Sequence, residues 1–266
     1  MNVSIMGAGA FGTALGKILI DNGHEVSYYD PKRSALTFER ATDSAEVIVI
    51  AVPADAIPEL CKEYPSAFKS LPTIIATKGL TDAGIFGTFE DFSVLSGPAF
   101  ADDLLTGKSA TLTATADIAQ ELFENDQIEI EVTDDLRGVI LCGALKNIYA
   151  IGAGYQDPAS SVSASWLTRA FREMRQYLAD HDANSNTCNL ACGIGDLVMT
   201  CSSESSRNFL CGRMIKKGKN IAEIRNKIGT IEGITALEAV DCKNYPVISE
   251  VHAIVNKKPV SDFRRL

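Results

Sequence analysis

Lys146 and Asn147 stand side by side in Gly143-Ala144-Leu145-Lys146-Asn147-Ile148, an otherwise small and apolar helix surface. A desolvated ammonium has a lowered pKa and exchanges a proton near neutral pH, which suits a general acid for carbonyl reduction. The other reading is a lysine whose stem covers apolar surface while its head reaches water. Asp196, in Gly193-Ile194-Gly195-Asp196-Leu197, follows a glycine-flanked turn and precedes an apolar run that would bury it. A buried carboxylate needs a partner, so Asp196 either holds Lys146 in position or caps a helix.

Ser202 to Asn208 reads Ser-Ser-Glu-Ser-Ser-Arg-Asn ahead of a helix pattern, collecting hydroxyls, free amides and a guanidinium at one terminus. This is an anion cradle in which Arg207 grips a phosphate bidentately, or it is a solvated serine-rich loop. Lys78, in Thr77-Lys78-Gly79, follows a strand pattern and is a candidate polariser or phosphate contact, or an ordinary surface lysine. Gly97, in Ser96-Gly97-Pro98-Ala99-Phe100-Ala101, belongs to a rigid turn that can abut a nicotinamide or serve structure alone. His24, His181 and His252 share no motif, and the seven cysteines lack paired CxxC spacing or adjacent histidines. They read as reduced cytosolic thiols, and no metal site is assigned.

The elements that position these groups begin at the N-terminus. An apolar run from Val3 to Met6 meets Gly7-Ala8-Gly9-Ala10-Phe11-Gly12, and a second strand pattern, Glu25 to Tyr29, ends at Asp30. This is the layout of a dinucleotide-binding strand, turn, helix and strand. Gly7 permits a tight turn, Gly9 lets the backbone approach a pyrophosphate, and Gly12 lets the helix pack closely on the sheet. The helix at 10–22 aims its N-terminal amides and positive dipole end at the phosphates. Asp30 lies where an acid meets the adenosine ribose hydroxyls and repels a 2′-phosphate, whereas Lys32 and Arg33 attract one. The balance favours NAD over NADP.

Strand patterns at 2–6, 25–29, 46–51, 73–76, 92–96, 109–114 and 127–132 alternate with helical stretches near 10–22, 34–40, 55–63, 82–89 and 116–124. This predicts an α/β unit over 1–132, a Rossmann-type parallel sheet covered on both faces. From Thr133 strand signals fade, and 133–266 reads as an all-helical second domain. Its amphipathic or capped stretches are 164–180, 205–217, 221–227 and 235–243. Docked at the carboxyl ends of the strands, it closes over the nicotinamide.

At 266 residues, with 46% hydrophobic and 22% charged residues, the chain has the composition of a soluble protein of two modest domains. A net charge of −9 argues against nucleic acid or an anionic membrane as partner, so an anionic small molecule requires a local basic pocket. The run from Gly138 to Gly154 is long and apolar, but Lys146 at its centre would cost roughly 2.5–3.5 kcal/mol in a bilayer. A buried helix, with no membrane span, is the expectation. The start of the chain has no export-signal layout, which leaves a cytoplasmic protein.

Taken together, Gly7 to Gly12, Thr77-Lys-Gly79, Ser96 to Ala101, Gly143 to Asn147, Gly193-Ile-Gly-Asp196 with Thr200-Cys201, Ser206-Arg-Asn208 and Glu232-Gly233 resemble the bacterial-type NAD(P)-dependent glycerol-3-phosphate dehydrogenases. The resemblance runs in order along nearly the whole chain. It implies reversible reduction of dihydroxyacetone phosphate to sn-glycerol 3-phosphate, feeding phospholipid synthesis, by a homodimer with NAD or NADP. It implies Lys146 as proton donor and acceptor, supported by Asp196 and Asn147. Lys78 and Gly97 would contact substrate, and Arg207, Asn208 and Ser206 would bind its phosphate. Ala10, Phe11, Ala101, Thr230 and Glu232 would border the cofactor, with Lys78 and Arg207 also reaching it. The stretch after Asp30 is shorter than the family's, and Ala99 stands where the family often has serine. Two other readings remain: a sister dehydrogenase acting on another small hydroxy acid or phosphate, and a catalytically weak nucleotide-binding protein.

Overall fold

The computed structural model describes residues 1–77, 89, 91–156 and 161–257. Lys78 and most of the helical stretch expected at 82–89 lie outside the described residues. Seven strands form one sheet: β1 (Asn2–Met6), β2 (Glu25–Tyr29), β3 (Val47–Ile50), β4 (Thr73–Ile75), β5 (Phe92–Ser96), β6 (Ala110–Ala114) and β7 (Ile128–Val132). Their order is β2-β1-β3-β4-β5-β6-β7. All seven coincide with the sequence patterns to within a residue at either end, because β-branched runs such as Val47–Ile50 are buried on both faces. The order reverses between β1 and β3, which opens a crevice at the carboxyl ends of these strands.

One expectation fails. β6 runs antiparallel to β5, pairing Leu95 with Ala114 and Ser96 with Thr113, and β7 then pairs parallel with β6. Side chains alternate with the same period in either direction, so an alternating pattern carries no information on strand polarity.

The helices of the sheet region are α1 (Ala10–Asp21), α2 (Phe38–Thr42), α3 (Ile57–Glu63), α4 (Ala67–Ser70), α5 (Ala101–Leu105) and α6 (Asp117–Phe123). The helical region holds α7 (Leu136–Tyr155), α8 (Ser161–Asp180), α9 (Asp196–Ser202), α10 (Arg207–Lys216), α11 (Ile221–Ile228), α12 (Glu232–Ala239) and α13 (Pro246–Val255). α12 starts three residues earlier than its sequence pattern, and α13 has no counterpart among the expected elements. The amides of Val247 and Ile248 at its start are received by Glu173 of α8 at 2.6 and 2.8 Å. A cap supplied from so far along the chain leaves no local signature.

α7 is the axis of the helical region. It is the one helix among the described residues long and apolar enough to cross a membrane, yet 83% of its apolar window is buried inside the protein. A helix apolar all round must be enclosed, and α8, α9, α10, α12 and α13 enclose this one. Its crossing with α10 is a backbone contact. A Cβ on Gly154 would fall 1.9 Å from the carbonyl oxygen of Phe209, and one on Gly212 would fall 1.9 Å from that of Ile151. Glycine costs a helix about 1 kcal/mol relative to alanine. Here it lets two helix axes approach more closely than any side chain would allow.

Candidate active site

The nucleotide crevice is built by the first turn. Gly7 has φ +109°, a value that favours glycine, and its amide donates to Tyr29 O at 2.8 Å. The chain then enters α1 at Ala10, with Gly9 as a cap that offers no side chain to the helix amides. The three motif glycines have different surroundings. A Cβ on Gly9 would meet nothing within 4 Å, whereas one on Gly12 would lie 1.9 Å from Gly7 O. Gly12 therefore lets the helix close on the turn itself. The glycine that brings α1 onto the sheet is Gly16, where a Cβ would strike the Tyr28 hydroxyl at 1.8 Å, and the motif does not include it.

Asp30 is only 8% exposed. Its carboxylate accepts the amides of Ala8 and Lys32 at 2.9 Å each, and Arg33 Nη1 lies 3.4 Å away. Burial pushes this carboxyl up, but the two amides and the guanidinium outweigh it and hold it below the usual carboxylate range. Asp30 thus ties the glycine turn to the end of β2. A carboxylate has about four lone-pair sites, so one remains for a ribose hydroxyl. An open space above Gly9, the N-terminal end of α1 and an acid at the strand end fit a dinucleotide. Ala10 is exposed at the mouth of the crevice, and Ala101 begins α5, which packs on α1.

Facing the crevice is a small cavity lined by Phe11, Ala76, Thr77, Leu95, Ser96, Gly97, Leu112, Lys146 and Asp196. Lys146 from α7 is 3% exposed and Asp196 at the start of α9 is fully buried. Lys146 Nζ donates to Asp196 Oδ2, and the other carboxylate oxygen receives the Thr200 hydroxyl at 3.0 Å. Of the two readings for each residue, the structure selects the buried lysine paired with a buried acid. Thr77, Ser96 and Thr200, which the sequence motifs contain without a role of their own, also belong to the site. Thr200 lies four residues after Asp196, on the same helix face, which is the signal that could have found it.

Asn147 looks away from that pair. Its amide donates to Gly143 O at 3.1 Å and its Oδ1 accepts from Asn208 Nδ2 at 3.0 Å, while Asn208 Oδ1 accepts the Gly233 amide at 2.9 Å. This chain of amides joins α7, α10 and α12. Ser206 caps α10, accepting the Phe209 amide at 3.3 Å and keeping its hydroxyl proton free to donate. Arg207 is half exposed and ion-paired with Glu232 at the start of α12. The Arg207–Asn208 turn and the Glu232–Gly233 turn are therefore stitched together at two points. Thr230 is exposed in the link before α12.

A glycine turn at a topological switch point, opposite a buried lysine on a helical region, defines a nicotinamide nucleotide-dependent dehydrogenase. Two family models match, the NAD-dependent glycerol-3-phosphate dehydrogenase N-terminus over residues 2–37 and 33–122 and its C-terminus over 135–263. The chain belongs to this family. Glycerol-3-phosphate dehydrogenase [NAD(P)+] of Listeria monocytogenes serotype 4b is 33% identical over 288 residues, covering 90% of this chain and 85% of the relative. That of Oceanobacillus iheyensis is 30% identical, covering 89% and 83%. Among solved structures, glycerol-3-phosphate dehydrogenase from Coxiella burnetii superposes with a TM-score of 0.86 at 23% identity, covering 98% of this chain and 97% of that one. At that identity the likeness speaks for the fold.

Proposed function

We propose that Lys146 is the group that protonates the substrate carbonyl in the reaction of this family, the reversible reduction of dihydroxyacetone phosphate to sn-glycerol 3-phosphate with NAD(P)H. The observation that carries this reading is a buried lysine, ion-paired to Asp196, in the wall of a cavity shared with Gly97 and Phe11. When bound, the nicotinamide supplies a hydride to the carbonyl carbon. Lys146 Nζ gives a proton to the carbonyl oxygen and recovers it in the reverse direction. Asp196, its second oxygen held by Thr200, compensates the ammonium and fixes its direction. Phe11 and Leu112 give the cavity wall apolar surface beside this pair.

Arg207 and Ser206, at the N-terminus of α10, receive the phosphate. The guanidinium exchanges part of its contact with Glu232 for a phosphate oxygen. Asn208 supports this pocket through its bonds to Asn147 and Gly233, with one amide proton left for the ligand. Lys78, outside the described residues, stays in the reading as a second cation for the substrate. Residues 1–132 act as the nucleotide unit and 133–266 as the substrate unit.

NAD is the preferred cofactor, because Asp30 already compensates Arg33 and places negative charge where a 2′-phosphate would sit. We further read the chain as a cytoplasmic homodimer, which sedimentation of the purified protein tests for oligomeric state. The central test is initial-rate oxidation of NADH and, separately, NADPH with dihydroxyacetone phosphate. Saturable turnover with a lower KM for NADH is expected. Cofactor binding without turnover would favour the nucleotide-binding reading instead.

A further inference from the structure

Asp196 reaches Lys146 from an unusual backbone segment. Residues Ala191–Gly195 form a single π turn that runs directly into α9, whose first residue is Asp196. Such turns are rare and persist only where their surroundings over-determine them. Two surfaces hold this one. On one side its glycines admit close neighbours: a Cβ on Gly193 would fall 2.2 Å from Cys188 O, and one on Gly195 would fall 3.2 Å from Pro98 Cγ.

On the other side lies the sheet. The amides of Ala191 and Cys192 open the turn and have no acceptor within it. Glu131 Oε2, on edge strand β7, accepts the Ala191 amide at 2.7 Å. Thr113 Oγ1, on β6 and fully buried, accepts the Cys192 amide at 3.0 Å. The Thr113 hydroxyl in turn donates to the same Glu131 oxygen at 3.3 Å. One carboxylate oxygen therefore orients both groups that anchor the turn.

We propose that Glu131 is a positioning residue for the reaction, acting with Thr113 to hold the π turn that presents Asp196 to Lys146. It touches neither substrate nor cofactor. Its effect passes along five residues of backbone to the carboxylate that aims the proton donor. This is also a use for the antiparallel β6: its reversed direction carries Thr113 and its parallel neighbour β7 to the turn of the helical region.

The inference rests on the reading of Lys146 as the proton donor, so Lys146→Ala is measured beside it. Saturation kinetics with NADH and dihydroxyacetone phosphate are compared for the parent, Glu131→Ala, Glu131→Gln and Thr113→Val. Glu131→Ala is expected to lose about tenfold to a hundredfold in kcat, the scale of a misplaced catalytic group, with little change in either KM. Glu131→Gln keeps an amide oxygen for both donors and is expected to restore most of that loss. Thr113→Val, which leaves the Glu131–Ala191 bond, is expected to lose less kcat than Glu131→Ala, and it decides the matter if Glu131→Ala does not fold.

A folded Glu131→Ala with parental kcat and only a lowered Tm overturns the proposal, as does a change confined to KM. If Lys146→Ala is inactive while Glu131→Ala is not impaired, this inference fails alone. If Lys146→Ala turns over like the parent, the proton-donor reading fails first and takes this one with it.

Discussion

The nucleotide crevice and the buried Lys146–Asp196 pair are assembled in opposite ways. The crevice is largely local: Gly7, Gly9, Gly12 and Asp30 fall within one strand-turn-helix-strand stretch, with Gly12 closing on Gly7, Asp30 receiving the Ala8 amide, Gly9 leaving open space, and Gly7 packing outside the stretch on Ala51 and Val52. The pair is remote. Lys146 and Asp196 are fifty positions apart, on helices that meet only when the helical region has packed. The first region draws most of its contacts from one short stretch of chain, whereas the second depends on α7 being enclosed. Binding and chemistry should therefore be separable by substitution.

The largest separation is expected at Lys146. Lys146→Ala should bind cofactor normally and lose roughly 10²–10⁴-fold in kcat, the usual contribution of a general acid. A cofactor titration beside steady-state rates checks both halves, and a near-parental rate would break the comparison.

Arg207→Ala comes next. Loss of a charged hydrogen bond to phosphate is worth about 1.5–3 kcal/mol, so KM for dihydroxyacetone phosphate should rise by roughly ten- to a hundredfold. A non-phosphorylated ketone should be indifferent to the change.

Within the crevice, two neighbouring glycines should behave differently. Gly12→Ala forces a Cβ onto Gly7 O and should lower stability by about 1–3 kcal/mol. Gly9→Ala points into open space, so Tm should hold while affinity for NADH falls. Thermal melts with and without NADH distinguish the two.

The smallest effect contrasts two acids, each receiving two backbone amides. Asp30 is held below its ordinary pKa, so its stabilising contribution is present above the unfolded value near 3.8 and is lost as pH falls through the folded one. Glu173 is buried to a similar extent, but there desolvation wins and pushes the carboxyl up in spite of the Val247 and Ile248 amides, the Tyr149 hydroxyl and nearby Arg169. Its contribution is present below the unfolded value near 4.5 and is lost as pH rises through the folded one. Glu173→Gln should flatten the decline in stability above that pH, and Asp30→Asn should flatten the decline in acid. Asp30→Ala should also raise the NADPH to NADH preference, and an unchanged ratio would remove Asp30 from the adenosine site.

What was legible in the chain follows the same division. Strands β1 to β7 and helices α1, α3, α6, α8, α10 and α11 announce themselves by period or by end signals close at hand, and α7 by its long apolar run. Strand polarity at β6 does not, because alternation is blind to direction. Nor does α13, whose cap is Glu173. The start of α12 is displaced because Asn208 takes the Gly233 amide. In the site, Lys146 and Asp196 stood out as polar residues in apolar runs, but their pairing is a tertiary fact. Glu131 gave no sign, since an acid alternating with isoleucines on an edge strand reads as a solvent-facing position.

The crossing of α7 and α10 through Gly154 and Gly212 has a metric consequence. Lys146 lies on one of these helices, and Ser206 and Arg207 lie at the head of the other. Because the two backbones touch, neither helix can slide inward to suit a shorter ligand or be spread without opening a void. On the roles proposed for Lys146 and Arg207, the span between them is a property of the frame, and the scaffold would act as a gauge for the length of a ketone phosphate before any chemistry begins.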